Sequence, residues 1–391
     1  DRGLFEAHKP ALEAIGGKLF HMGPLGSASV IKVITNMLAF IHLVADGEAL
    51  MLAKRGGLDL AQSWAAIKAS SGTSFVHETE GQLILNGSYD IAFTMDLALK
   101  DLGFAMNFGR EFGVPLDLGA TYRSGARQGP SGVREASRLI RQVNPTTKVA
   151  PYRLCNIADV GDAPTHPLSV ERSVELIQEF YERIHAIGAV PISIGGDHTV
   201  PLPILRAIAK ERPLGLIQID SHTDTFDEFM GTKCNHATFV RRAVEEGLLD
   251  PKRILQIGLR GTRYGDDDIN YGYKAGIRMI PMDEFEEMGR AAVIAEIRRV
   301  VGDAPTYITI DIDGLDPKDA PGTGVPEPGG ISMRDAQMIL RTLTGMNMVG
   351  GDICEVVPSL DPTGITCINA ANLMFELTCL AAVTRSGGLK Q

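Results

Sequence analysis

Three segments of this sequence place acidic residues and histidines directly after short apolar runs: PISIGGDHTV, GLIQIDSHTD and YITIDIDGLDP. The residues are, in chain order, Asp197, His198, Asp220, His222, Asp224, Asp311 and Asp313. Side chains two positions apart on an extended chain point the same way, so each segment can direct its ionisable groups toward one place. Because burying such groups without partners is costly, their types and spacing indicate a site with a chemical purpose.

Any one of these segments has a simpler explanation, because an Asp at a strand end often caps the next helix and an Asp-x-Asp pair often forms a turn. Three together are harder to explain in that way, since carboxylates in one crevice repel each other unless cations neutralise them. With Asp197 set aside as a supporting residue, four aspartates and two histidines remain, which is enough for two divalent ions. Oxygen and imidazole ligands without a thiolate favour Mn2+, and Ni2+ or Co2+ also fit. Such a pair of ions lowers the pKa of a bound water and supplies a nucleophilic hydroxide at neutral pH.

Six apolar stretches rich in β-branched residues alternate with helical patterns from about residue 113 onward. They are AVPISIGG, LGLIQID, RILQIGLRG, RMIPM, PTYITIDID and MVGGDICEV. Continuous apolar strands separated by helices predict a parallel sheet covered on both faces, and such sheets bind ligands beyond the carboxyl ends of their strands. The predicted fold class is therefore α/β, with three layers (α/β/α) and the ionisable segments at one edge of the sheet.

The first 112 residues show helical patterns and almost no strand signal. A long helix is predicted in PLGSASVIKVITNMLAFIHLVADGEALMLAKRGG, where Gly56 and Gly57 end it, and further helices are predicted in DLAQSWAAIKAS and MDLALKDLGFAMNFGREFG. We therefore predict an all-α domain at 1–112 and an α/β domain at 113–391.

Composition narrows the classes of partner. The formal net charge of -10 argues against a nucleic-acid groove or a basic membrane face. No apolar run approaches the ~20 residues that a membrane helix needs, so we expect no membrane partner. The five cysteines stand singly and no secretory signal pattern is present, so we expect reduced thiols and a cytoplasmic location.

Several motifs, in their order and spacing, resemble the ureohydrolases, the family of arginase, agmatinase and the guanidino-acid hydrolases. They are GGDHTV, DSHTDT, GLRG, DIDGLDP, GTGVPEPGG and EVVPSLDP, within a likeness that runs from about Gly113 to about Ala382. The resemblance implies an arginase-type fold and a binuclear manganese enzyme. The implied reaction is hydrolysis of a small guanidino compound to urea and an amine by a hydroxide that bridges the metals.

The resemblance also implies a role for each motif residue. His198 and Asp224 would bind one ion, and His222 and Asp313 the other. Asp220 and Asp311 would bridge the two ions. Glu355, in ICEVVP, would bind the guanidinium group, and His236, in CNHATF, would pass a proton to the leaving amine or touch the substrate. Together with Asp224 these two are the predicted catalytic residues. Without the resemblance, Glu355 is a surface acid at a strand end and His236 a residue at a helix start.

Within the family the sequence resembles the agmatinase branch, and there the guanidinopropionase and guanidinobutyrase type. Most relatives have Ala where this chain has Ser221, and Gly and Pro where it has Ala237 and Phe239. We expect Ser221 to be neutral for the metals and the second change to reshape a substrate loop, which speaks against agmatine itself. Arg123 or Tyr122 could meet a substrate carboxylate, although a surface arginine near a turn is the simpler interpretation. The expected substrate is a guanidino acid such as guanidinobutyrate or guanidinopropionate, or agmatine.

The first third of the chain resembles the helical C-terminal domain of 3-hydroxyisobutyrate-type dehydrogenases, through GGKLFHMGPLGSASVIKVITNM and KDLGFAMNFGREFGVP. The resemblance implies a catalytic acid/base at Lys32, a substrate-orienting residue at Asn36 and a cofactor neighbour at Lys100. GPLGSA, however, lacks the third glycine and the later acid of a dinucleotide loop, and no stretch matches the nucleotide-binding domain of those enzymes. The preferred interpretation is a helical packing or oligomerisation module.

Two alternative functions remain beside the hydrolase. One is an NAD-dependent hydroxyacid dehydrogenase fragment, which the missing nucleotide-binding pattern disfavours. The other is a non-catalytic ureohydrolase paralogue, which the intact ligand set and Glu355 disfavour. Because ureohydrolases form trimers or hexamers, the resemblance also implies a homo-oligomer.

Overall fold

Two compact units make up the chain, Asp1–Val114 and Pro115–Gln391. The computed structural model describes residues 2–88, 120, 122–166 and 169–387. The predicted domain boundary between 112 and 113 lies outside the described residues, as does the helix predicted in MDLALKDLGFAMNFGREFG. The domain division therefore stays a prediction.

The described part of the first unit is helical. Its helices are α1 (Arg2–Glu13), α2 (Ser27–Arg55), α3 (Leu60–Lys68), α4 (Phe75–Thr79) and α5 (Gly81–Leu85). Helix α2 ends at Gly56, and Gly57 follows with φ 77°, so the two glycines terminate the long helix as predicted. The Asp59 side chain accepts a hydrogen bond from the backbone N–H of Gln62 and caps α3.

A buried polar contact joins three helices of this unit. His77 Nδ1 lies 2.5 Å from Asp46 Oδ1, and His77 Nε2 lies 2.9 Å from the carbonyl oxygen of Trp64. Trp64 Nε1 donates in return to the carbonyl oxygen of His77 at 2.9 Å. A side chain at Gly81 would place its Cβ 3.0 Å from both Asp46 Oδ2 and Trp64 Nε1, so the close packing here requires glycine.

Six parallel strands form the sheet of the second unit. They are β1 (Ile192–Ile194), β2 (Leu214–Ile219), β3 (Leu249–Leu259), β4 (Arg278–Pro281), β5 (Thr306–Asp311) and β6 (Met348–Cys354). Their order across the sheet is β1-β6-β5-β2-β3-β4. Five of the six apolar stretches noted in the sequence contain one of these strands, and the sixth, RILQIGLRG, covers the last part of β3, so the predicted parallel sheet is confirmed.

Helices cover both faces of this sheet. They are α6 (Gly129–Ala136), α7 (Pro151–Leu154), α8 (Val170–Ala186), α9 (Pro201–Ile208), α10 (Phe239–Glu245), α11 (Asp267–Ala275), α12 (Met282–Val301), α13 (Met333–Thr342) and α14 (Ile365–Arg385). Alternate residues of one strand face different layers: Ile217 and Ile219 pack in the core that includes α12 and α14, whereas Leu216 packs with α9 and α10. The α/β/α arrangement predicted from the apolar strands is therefore confirmed.

The strand order places the ionisable segments together. The chain runs from β2 outward through β3 to β4, and then returns so that β5 lies on the other side of β2. The loops that follow β2 and β5 thus diverge at a point where the order reverses, which is where ligands bind in open parallel sheets. Asp220 follows β2 directly, and Asp311 is the last residue of β5.

Two helices are long and apolar enough to cross a membrane by length and composition, α2 and α14. This corrects the expectation that no apolar run reaches that length. In α14, 67% of the most apolar window is buried in its unit, as in a core helix, whereas none of the corresponding window of α2 is buried. Because a core helix or a signal sequence passes the same test, the absence of a membrane partner stays a prediction.

Substitution of Gly314 tests how closely the loops around the site are packed. A Cβ there would lie 2.8 Å from the Asp220 backbone nitrogen and 2.9 Å from the Ile219 carbonyl carbon, so backbone would have to move. We expect Gly314→Ala to lower the free energy of unfolding by about 1–3 kcal/mol, measured by urea unfolding with chelator present. Gly265→Ala is the matched control, because its Cβ would meet nothing within 4 Å. Equal effects of the two substitutions would contradict this packing.

Candidate metal centre and active site

Asp220 lies between the two predicted metal-ligating histidines. Its Oδ2 is 3.0 Å from His198 Nδ1, and its Oδ1 is 3.5 Å from His222 Nδ1. The loop after β1 carries His198, and the loop after β2 carries His222. Two elements that are separate in the sheet therefore bring their imidazoles to opposite oxygens of one carboxylate.

The other predicted ligands complete two groups around this carboxylate. His198 Nδ1 lies 2.8 Å from Asp224 Oδ2 and 3.4 Å from Asp311 Oδ2. On the opposite side, His222 Nδ1 lies 3.3 Å from Asp313 Oδ2. Ligand atoms of His198, Asp220 and Asp311 lie within 4.8 Å of one another, and so do those of Asp220, His222 and Asp313. The structure thus brings all six residues together, with Asp220 shared by both groups.

The carboxylates in this crevice are buried and strongly coupled. Burial opposes ionisation of Asp220, yet its hydrogen bonds with His198 and His222 hold its pKa well below the usual range. Burial and the negative charge of Asp220 raise the pKa of Asp224 to about 7. Burial, followed by the charges of Asp313 and Asp220, raises the pKa of Asp311 well above its usual value. Without added positive charge the group therefore cannot be fully ionised near neutral pH.

The hydrogen bonds of His198 leave its Nδ1 atom for a cation. Nε2 lies 2.7 Å from Thr309 Oγ1, and Thr309 Oγ1 donates to Asp352 Oδ1 at 2.7 Å, so the threonine accepts from Nε2–H. Nδ1 is buried and faces oxygens of three carboxylates, 2.8 Å from Asp224, 3.0 Å from Asp220 and 3.4 Å from Asp311. A nitrogen lone pair facing carboxylate oxygens is repulsive unless a positive charge lies between them. A divalent ion fits this position, and in its absence a proton takes its place. The pKa of His198 agrees with this, because burial alone would lower it but the interactions with neighbouring carboxylates raise it well above its usual value.

A row of buried polar residues crosses the sheet just before the strand ends that carry the predicted ligands. Strand pairing puts five of them side by side across the sheet: Ser193, Asp352, Thr309, Gln218 and Gln256. Gln256 Nε2 donates to Gln218 Oε1 at 2.7 Å, and Gln218 Nε2 donates to Asp220 Oδ2 at 2.7 Å. This row orients the shared carboxylate, and through Thr309 it also orients His198.

Sequence reasoning missed this row. Its signal was present, because Gln218 and Thr309 each precede a predicted ligand by two positions and interrupt an otherwise apolar strand.

The loop after β5 is held by a single arginine. The guanidinium of Arg260, in the GLRG motif, donates to the carbonyl oxygens of Asp313 and Glu327 at 2.7 Å each and to that of Leu315 at 3.0 Å. Since backbone carbonyls are fixed by the fold, these bonds position the Asp313 side chain beside His222. Sequence reasoning assigned no role to Arg260 beyond the motif.

Ser221 contacts predicted ligands directly. Its hydroxyl donates to Asp313 Oδ1 at 2.7 Å and lies 3.1 Å from His222 Nδ1. An alanine would make neither contact, and the expectation that serine is neutral for the metals stays a prediction. The hydroxyl helps to set the orientation of Asp313.

Glu355 and His236, predicted to act on the substrate, lie together at the edge of this centre. His236 Nδ1 is 3.0 Å from Glu355 Oε1, and the same oxygen accepts from the His198 backbone N–H at 3.0 Å. Burial alone would lower the pKa of His236, but the hydrogen bond to Glu355 raises it to about 9. Glu355 and Asp224 both have positive φ, 61° and 53°, which for residues other than glycine is strained and is common at functional sites.

Other residues singled out in the sequence lie apart from this cluster or beside it. Asp197 Oδ1 accepts from the Thr199 backbone N–H at 3.0 Å, as in an Asx turn. Lys32 Nζ donates to Asn36 Oδ1 at 2.8 Å on an exposed face of α2, in the helical unit. Lys100 lies outside the described residues. Arg123, expected to be an ordinary surface residue, has a buried Nε without a hydrogen-bond partner.

Comparison with known proteins places this site in a family. The model of the arginase family matches residues 112–379. A guanidinopropionase of Pseudomonas aeruginosa is 50% identical over 271 residues, which cover 69% of this chain and 85% of that protein. A guanidinobutyrase of the same species is 44% identical over 269 residues, 68% of this chain and 84% of that protein.

Solved structures agree with this assignment. The proclavaminate amidinohydrolase of Streptomyces clavuligerus superposes with a TM-score of 0.64 at 36% sequence identity, covering 69% of this chain and 89% of that one. The chain belongs to the arginase family, so the resemblance inferred from the motifs is confirmed. Within the family it is similar to enzymes named for guanidino acids.

The helical unit matches a different family over part of its length. A model described as the NAD-binding part of NADP-dependent 3-hydroxyisobutyrate dehydrogenase matches residues 26–137. The second resemblance inferred from the sequence is thereby confirmed. This match and the arginase match overlap at residues 112–137.

Metal removal tests the geometry of the centre. Each bound ion stabilises the folded chain by about 2.7 kcal/mol at a concentration of 100 Kd. We therefore expect EDTA to lower the melting temperature by at least about 5 °C and added Mn2+ to restore it.

Asp220→Asn should abolish most of this shift, because Asp220 is shared by both ligand groups. Asp303→Asn, which changes an exposed aspartate outside the centre, is the matched control and should retain it. A melting temperature of wild type that does not respond to EDTA and Mn2+ would contradict a metal centre here.

Proposed function

We propose that the chain hydrolyses a guanidino compound to urea and an amine with two divalent ions held by His198, Asp220, His222, Asp224, Asp311 and Asp313. The observation that carries the proposal is the position of Asp220, whose two oxygens face one histidine each. Two bound divalent ions would lower the pKa of a water and supply hydroxide at neutral pH. The family membership of the chain gives independent support for hydrolytic chemistry.

Manganese is the proposed metal. The six side chains offer carboxylate oxygens and imidazole nitrogens, a donor set that suits Mn2+ and also accepts Ni2+ or Co2+. A thiol lies close to the centre: Cys354 Sγ is 3.4 Å from Asp352 Oδ1, and ligand atoms of Cys354, Asp352 and His198 lie within 4.8 Å of one another. Because burial and then the charge of Asp352 raise the pKa of Cys354 well above its usual value, it stays a thiol. A softer, thiolate-binding metal is therefore not favoured.

Glu355 binds the guanidinium group of the substrate in this proposal. Its carboxylate is buried, and Oε1 is already fixed by the His198 backbone and by His236. A planar guanidinium donates charge-assisted hydrogen bonds to a carboxylate, which orients its central carbon. Orientation matters here because the guanidinium carbon is resonance-stabilised and a poor electrophile, so the nucleophile must be held in line with it.

His236 supplies the proton that the leaving amine needs. The oxygen of hydroxide forms a bond to the guanidinium carbon, the bond from that carbon to the substituted nitrogen breaks, and the amine leaves with a proton from His236. The proton on the attacking oxygen then returns to the imidazole as the carbonyl group of urea forms. Glu355 keeps the His236 imidazole protonated, since their hydrogen bond raises its pKa to about 9 against the opposing effect of burial. A cationic imidazole at this place can donate a proton during cleavage.

The proposed substrates are guanidino acids, with guanidinobutyrate and guanidinopropionate as the first candidates and agmatine as a further one. The names of the two Pseudomonas relatives support this choice. We further propose that the protein is a cytoplasmic homo-oligomer, a trimer or hexamer, and that the helical unit serves packing or assembly.

Urea release tests the proposed activity. The purified chain, loaded with Mn2+, is given guanidinobutyrate, guanidinopropionate, agmatine and arginine, and urea is measured directly. We expect urea from at least one guanidino acid, loss of the activity with EDTA and recovery with Mn2+. Urea from none of the compounds at full metal occupancy would refute the proposal, and so would undiminished activity of the metal-free protein.

Glu355→Gln separates substrate binding from metal binding. Because the substitution removes the negative charge that faces the guanidinium, we expect kcat/KM to fall by about 100-fold or more. The metal content, measured by elemental analysis, should stay near that of wild type, since Glu355 is not among the proposed ligands. Glu286→Gln, on the exposed face of α12, is the matched control and should change neither quantity. Full activity of Glu355→Gln would remove the proposed role of this carboxylate.

A further inference from the structure

Arg123 lies next to the proposed guanidinium-binding residue. A Cβ placed on Gly324 would lie 3.0 Å from the carbonyl oxygen of Arg123 and 3.5 Å from Glu355 Oε2. The Arg123 backbone and the Glu355 carboxylate are thus separated by a glycine that has no side chain to come between them. An arginine at this place is within side-chain reach of a molecule bound to Glu355.

The side chain of Arg123 has no anionic partner among the residues that the structure describes. Its Nε is buried and makes no hydrogen bond within those residues. Its guanidinium carbon lies 5.5 Å from the centre of the Tyr122 ring, a cation–π contact that leaves the N–H groups unused. A desolvated arginine donor without an acceptor is costly, and a bound carboxylate would satisfy it.

Three further arginines near the centre already bind carboxylates or carbonyls among the described residues. The donors of Arg260 are used on backbone carbonyls. Arg242 pairs with Asp227 at 2.7 Å and with Glu245 at 2.7 Å, and Arg241 pairs with Glu245 at 2.9 Å. Among these arginines, Arg123 alone has no carboxylate or carbonyl bound to its guanidinium within the described ranges.

A charge balance indicates which class of substrate the positive charge of Arg123 favours. In the proposed site, four aspartates offset two divalent ions, the protonated His236 offsets the hydroxide, and Glu355 offsets the guanidinium of the substrate. A guanidino acid brings one further negative charge, which Arg123 balances, whereas an amine such as agmatine brings a further positive charge, which Arg123 repels. With standard bond lengths, two or three methylenes separate the two charged ends of such an acid by roughly 5–6 Å. An acid of this length, bound by its guanidinium to Glu355, can therefore place its carboxylate within reach of the Arg123 side chain.

We propose that Arg123 binds the carboxylate of a guanidino acid whose guanidinium group lies on Glu355, and so selects acids over amines of similar length. The inference rests on the proposed function and adds to it the residue that decides the substrate class. Tyr122 holds the Arg123 guanidinium by its ring, and Gly324 keeps the space between the two charged groups open.

The test compares guanidinobutyrate with its neutral amide and with agmatine, using full-length, Mn2+-loaded protein. For Arg123→Gln we expect kcat/KM for guanidinobutyrate to fall by about 10- to 100-fold, mostly through KM, because a charge-assisted bond is lost. The ratio of guanidinobutyrate to amide should fall by a similar factor. Arg123→Lys should recover part of it, and Arg123→Glu should shift the preference toward agmatine.

The controls separate this inference from folding and from the proposed function. Arg153→Gln replaces an exposed arginine of α7 and should keep the wild-type substrate ratio. Equal losses for the acid, the amide and agmatine in Arg123→Gln would overturn the inference, because a merely structural arginine affects all three alike. Wild type that releases urea from agmatine but from no acid would also overturn it while leaving the proposed function intact. No urea from any compound would instead refute the proposed function itself.

Discussion

The structure of the α/β unit depends on one electrostatic constraint, the coexistence of four aspartates and two histidines in a desolvated crevice. Asp220 is the centre of this arrangement, since its two oxygens face His198 and His222 at 3.0 and 3.5 Å. The crowding raises the pKa of Asp224 to about 7, through burial and the charge of Asp220. Such a group needs added positive charge to be stable, and the two divalent ions that we propose would provide that charge together with hydrolytic chemistry.

The fold accommodates this centre by making the sheet beneath it polar and the loops around it close-packed. Gln218 and Thr309 lie side by side on neighbouring strands and bind, respectively, the shared carboxylate and His198. Each of these two side chains makes a buried hydrogen bond that an apolar residue could not make. The loops carry strain as well, since Glu355 has a positive φ of 61°. The stability that the long apolar strands provide is thus partly used to hold functional groups in costly positions.

The helical unit is built around a different buried contact. Its buried centre is the pair His77 and Asp46, which involves none of the residues proposed for hydrolysis. It retains the Lys32–Asn36 pair of the dehydrogenase likeness, joined by a hydrogen bond of 2.8 Å. The arginase-family match covers the α/β unit, and the residues of the proposed reaction all lie there. The chemistry proposed for the chain therefore needs no contribution from Lys32.

The sequence by itself determined the class of fold, the six strands, the six ionisable residues that meet in the crevice and the family, because apolar periodicity and the spacing of ionisable residues are local properties that a linear chain displays. It did not determine the polar row of Gln218, Thr309 and Asp352, the contact of Ser221 with Asp313, or the lack of a carboxylate partner for Arg123 among the described residues. Those features depend on which strands become neighbours and how their registers align, and on which loops pack against each other. Residues more than 100 positions apart, such as His198 and Thr309, meet only in the folded chain, so their partnership was decided by tertiary structure alone.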